Sequence, residues 1–79
     1  MVTPESIKQG IEARLACRHV EVAGDGQHFE ALVVSPAFEG KSRVQRHQLV
    51  YAALGDRMRE EIHALSMRTL TPEEWAAAG

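Results

Sequence analysis

The chain has 79 residues, 44% of them hydrophobic, which is material for one small core and too little for two. Nine Lys and Arg against eleven Asp and Glu leave a formal net charge of -2, so general attraction to a polyanion is not favoured and a nucleic-acid contact would need a local patch. Cys17 is the single cysteine, which excludes an intramolecular disulfide. The expectation is one soluble, cytoplasmic domain over residues 1–79, since the N-terminus lacks the basic and apolar regions of a signal peptide and no apolar run reaches the ~18 residues of a membrane span.

Thr3-Pro4-Glu5 reads as an N-cap, a proline at the first helical position and an acid in the first turn. Ile7, Ile11 and Leu15 follow at four-residue spacing, which predicts an amphipathic helix over residues 4–16. His19 to Val22 alternates, residues 23–27 carry turn chemistry, and His28 to Val34 is a second strand-like run, giving a hairpin with a five-residue loop. The second strand becomes apolar on both parities toward Val34, so it is expected to be the more buried of the two. Ser35-Pro36 stops it, and Phe38 is expected to pin the next turn to the core.

In "AFEGKSRVQRHQLVYAAL", residues 37–54, Ser42 and Gln45 form a capping-box pattern. Val44, His47, Tyr51, Leu54, Met58 and Ile62 then step by three or four, with Val50 beside them, predicting a helix from about residue 43 that Gly55-Asp56 breaks or kinks. Residues 63–70 alternate as a third strand, with His63, Leu65 and Met67 on one parity. Thr71-Pro72-Glu73-Glu74 repeats the start signal of the N-terminus and opens a final helix. The predicted class is α+β, a small three-stranded sheet packed by helices.

Few of the chemical motifs in this sequence survive inspection. Gly40-Lys41-Ser42 is no phosphate loop, because Ser35 stands where the pattern needs its first glycine. Lys41, Arg43 and Arg46 at a helix start could meet phosphates or form a solvated face, and an aromatic content of 5% gives little base-stacking surface. The four histidines and Cys17 form neither C-x-x-C nor H-E-x-x-H. No nucleophile elbow or spaced Ser/His/acid set is present, and enzyme activity is not expected.

The segments "SPAFEGKSRVQRHQLVYAAL" and "IHALSMRTLTPEEW" resemble the BolA family, and the loop "GDGQHF" at residues 24–29 looks most like its IbaG-type bacterial branch. The resemblance covers nearly the whole chain. It implies an αββααβα fold similar to the class II KH domain, and partnership with a monothiol, CGFS-type glutaredoxin. In such a pair a [2Fe–2S] cluster is held by the glutaredoxin cysteine, glutathione and side chains of the BolA-like protein, which acts as an adaptor in cluster trafficking or iron and stress sensing.

Carried onto this sequence, the family's C-terminal ligand histidine falls on His63. The second ligand departs from the family pattern: Asp25 holds the gap-free position, and His28 is the nearest loop histidine and the favoured choice, with Asp25 or an external ligand as the alternatives. Cys17 and His19 could serve only if the helix end approached His63. His47 is read as structural or as interface, with Lys41, Arg43 and Arg46 beside it as a partner or nucleic-acid surface. The rival function is a DNA-binding transcriptional regulator using that basic helix start, although the GxxG loop of KH domains is not evident. A third reading is a homodimer or partner-binding scaffold without metal.

Overall fold

The computed structural model describes residues 2–60, 62 and 64–79. Helix α1 spans Pro4–Arg14, capped by Thr3, whose side chain accepts from the Ser6 N–H while Ser6 Oγ accepts from the Thr3 N–H. Strand β1 covers His19–Gly24 and β2 His28–Val34. A 3₁₀ turn at Pro36–Phe38 leads to α2, Arg43–Leu54, with the Ser42–Gln45 capping box formed as its sequence predicts. Gly55, at φ +61, ends α2, a conformation that costs a glycine little. One turn of helix, α3 at Arg57–Glu60, precedes β3, Ala64–Leu70, and α4, Pro72–Ala78. The order is αββααβα, the α+β class expected.

The strands lie in the order β1-β2-β3. β1 pairs antiparallel with β2, and β3 pairs parallel with β2, as a crossover through α2 and α3 requires. β2 is therefore central, which explains its apolar residues on both parities. One face of the sheet presents Val20, Phe29, Ala31 and Val33 to Ile7 and Ile11 of α1 and to Val50 and Leu54 of α2. Phe29 and Phe38 are fully buried, each contributing about 1.5–3 kcal/mol of transfer free energy. The other face carries His19, Glu21, Glu30, Leu32 and Arg68 by strand alternation. Trp75 stacks on His19 with ring centroids 5.0 Å apart, so α4 folds over one end of that outer face. Val34, beside His19 in the register, is fully buried although its parity faces outward.

Two local expectations need correction. The hairpin loop has three residues, 25–27, because β1 runs on to Gly24, which pairs with Phe29. A Cβ at Gly24 would stand 2.5 Å from the His28 carbonyl oxygen, so the close pairing depends on the missing side chain. The apolar stripe of α2 is also misplaced: Val44 is 65% and Tyr51 40% exposed, while Val50, Ala53 and Leu54 are buried. Successive residues turn by about 100°, which puts Val44 and Tyr51 about 100–120° from Val50 and at the edge of the buried face.

Candidate functional site

The hairpin end of the sheet is held by one side-chain carboxylate and by glycine geometry. Asp25 Oδ1 accepts from the N–H of Gln27 at 3.0 Å and of His28 at 2.9 Å, an Asx turn that reverses the chain in three residues. Gly26 supplies the positive φ, +101, that this turn needs. The bonds from His28 and then Gln27 hold the Asp25 carboxyl below its ordinary pKa, so it stays an anion. His28 follows as the first residue of β2, exposed, and its ring makes no hydrogen bond among the described residues. The parallel register sets His28 beside Ala64, the residue that follows His63 in the chain. His63 itself lies outside the described residues.

The donor types at this end suit iron unequally. A neutral imidazole is a competent ligand for an iron–sulfur cluster. Asp25 offers a hard oxygen, and one of its two oxygens is already committed to the turn. Cys17 stands elsewhere, just before β1, at the end of the sheet where Val34 and Leu70 lie. Six residue steps of β2, about 20 Å, separate that end from His28. Burial, with the charge of Glu12 second, pushes its thiol above the ordinary value of 9.0. Cys17 and His19 are therefore not brought to the hairpin, since α1 and β1 meet at the far end. His19 instead bonds Glu21 and stacks on Trp75. Among the described residues no three His, Cys, Asp or Glu side chains converge as a metal group.

At the end of the sheet near α4, Lys41, Arg43, Arg46 and His47 border a shallow groove of about 330 Å³ beside Met67 to Leu70. Arg46 is not a free cation. Its guanidinium donates to the Thr69 carbonyl at 3.2 Å, to the Lys41 carbonyl at 3.1 Å and to Glu74 at 2.8 Å, joining α2, β3 and α4. Arg46 in turn holds the Glu74 carboxyl below its ordinary pKa, with the Thr71 backbone second. The sequence thus over-counted this surface by Arg46 and missed Arg68, which lines the same groove from β3. The signal for Arg68 was its parity, opposite to Leu65 and Met67 on an alternating strand.

The molecule so defined is a small α+β protein that presents its candidate ligand on a tight exposed turn beside the head of a parallel strand. The BolA family profile, described as "BolA-like protein", matches residues 3–74. The chain belongs to this family. It is 44% identical over 80 residues to "Protein BOLA2" of Arabidopsis thaliana, covering 95% of this chain and 85% of that one. It is 43% identical over 63 residues to "Acid stress protein IbaG" of Escherichia coli K12, covering 78% and 75%, in keeping with the IbaG-type loop. The solved structure of a BolA protein homologue from Coxiella burnetii superposes with a TM-score of 0.83 at 51% identity, over 96% of this chain and 99% of the other.

Proposed function

We propose that this chain is an adaptor that pairs with a monothiol CGFS glutaredoxin, co-ligates a [2Fe–2S] cluster with it and glutathione, and serves cluster trafficking or iron and stress sensing in the cytoplasm without catalysis of its own. The observation that supports this reading is the register of His28 against Ala64, which sets the exposed hairpin histidine at the head of β3. The cluster is cargo, and an imidazole ligand in place of a thiolate would make its hold sensitive to protonation and easier to release. His28 contributes an exposed ring on a rigid turn, and Asp25 fixes that turn and keeps a negative charge beside it.

The DNA-binding reading rests on a smaller surface than the sequence suggests. Of its three cations, Arg46 is bound to Glu74 and two carbonyls, and the Glu74 carboxylate lies in the same groove. No helix among the described residues is long and apolar enough to cross a membrane.

The test is a titration into cluster-loaded CGFS glutaredoxin with glutathione, followed by visible absorption and circular dichroism. Wild type is expected to generate a new cluster spectrum, His63→Ala to generate none, and His28→Ala to give a shifted or weakened one. An unchanged glutaredoxin spectrum with wild type would remove the adaptor reading; a full wild-type spectrum from His28→Ala would remove His28 as a ligand.

A further inference from the structure

The groove between α2 and β3 lies at the opposite end of the sheet from His28, apart from the hairpin that would meet the cluster. β3 is an edge strand, paired only with β2. The Ser35 N–H donates to the Leu70 carbonyl, so the backbone groups of even-numbered residues in β3 face β2. Those of Met67 and Thr69 therefore point away from the sheet into the groove. The Arg46 bond to the Thr69 carbonyl, from the far side, agrees with this assignment and blunts that one position. Met67 is left with a donor and an acceptor on an open edge.

The rim of this edge is basic. Lys41, Arg43 and Arg68 are exposed and form no ion pair among the described residues. His47 stands beside them, and Met67 and Leu70 add apolar floor. A flat polyanion would meet the cations alone. An extended peptide would meet all three features, its backbone on the edge, its side chains alternating between the Met67 face and the Leu70 face, and its acids on the cations.

We infer that the free edge of β3 is a docking site for an extended acidic segment of a partner protein, which adds as a fourth strand between β3 and α2 and is held by Lys41, Arg43 and Arg68. The site is separate from the hairpin, so a partner bound at His28 leaves it open. Its specificity comes from charge at the rim and from the Met67 backbone, and its affinity falls with added salt.

The probe is a fluorescein-labelled nonapeptide alternating glutamate and valine, titrated into the full chain by fluorescence anisotropy, with amide hydrogen exchange read at Met67. Binding is expected for this peptide, with slower exchange at Met67, and at least tenfold weaker binding for the Arg43→Glu/Arg68→Glu double variant. The same peptide with alternate backbone nitrogens methylated keeps its charge but cannot pair, and is expected to lose binding. Equal binding of the methylated peptide, or unchanged Met67 exchange, would overturn strand addition. Retained affinity in the double variant, checked for native circular dichroism, would overturn the site, as would binding of a single-stranded oligonucleotide but not the peptide, or of neither. Because no cluster or glutaredoxin is present, the outcome is independent of the adaptor test.

Discussion

The two ends of the sheet hold their shape by different means. At the hairpin end, the turn is made by a missing Cβ at Gly24, a positive φ at Gly26 and one carboxylate that serves two backbone N–H groups. The imidazole of His28 takes no part in that scaffold and is free to act. At the other end the shape is made by side chains: Arg46 ties three elements together, Ser35 donates to the Ala16 carbonyl at 2.6 Å, and Trp75 lies on His19. Arg46, Ser35 and His19, which look functional there, are already occupied, whereas Lys41, Arg43 and Arg68 at the rim form no ion pair among the described residues. A chemically suggestive residue is thus a better ligand candidate where other residues hold the chain and leave its side chain without a partner.

This contrast can be broken most forcefully at Gly24. Gly24→Val puts carbon against the His28 carbonyl and Phe29 and is expected to lower stability by about 3 kcal/mol in chemical denaturation, by forcing strands apart. A loss below about 0.5 kcal/mol would show that the hairpin tolerates side chains and that its close pairing is not required. Next in size, Arg46→Met leaves the Thr69 carbonyl without its partner and frees α4, at an expected cost of about 1–2 kcal/mol. An unchanged midpoint would return Arg46 to the pool of surface cations.

Asp25→Ala sharpens the comparison locally. The amides of Gln27 and His28 are expected to exchange faster while the denaturation midpoint moves little, because the carboxylate is exposed and serves only the turn. The smallest effect is expected from Glu74→Gln, as a function of pH. The folded pKa of Glu74 lies below its ordinary 4.5, so the stabilisation it gives is present above that value and fades as pH falls through the depressed folded one. The variant should lose that part of the acid limb and behave as wild type at the acid extreme; parallel curves at all pH values would remove the Arg46–Glu74 pair as a pH-dependent contact.

Helix starts, strand alternation and turn chemistry were legible because each is a short-range effect. The N-cap at Thr3 and the capping boxes at Ser42 and Thr71 need no partner outside one helical turn. The α2 stripe was misread for the same reason. A run of apolar residues at three- and four-residue steps fixes a helix, but which side of it is buried depends on what lies opposite. Here that side is set by α1 and the sheet, so Val50 and Ala53 are buried while Tyr51 and Val44 face outward.

By itself the sequence determined the order of elements, the deeper burial of β2 relative to β1 and, through its resemblance, the family. The tertiary structure alone decided that β3 lies parallel beside β2, that His28 meets Ala64, and that Cys17 stands at the far end. It also decided that Arg46, 28 residues from Glu74 in sequence, is a clamp and not a contact surface. The physical reason is that propensity and capping act over a few residues, whereas strand register and ion pairing are settled only when the hydrophobic faces close and distant segments are forced to share an edge.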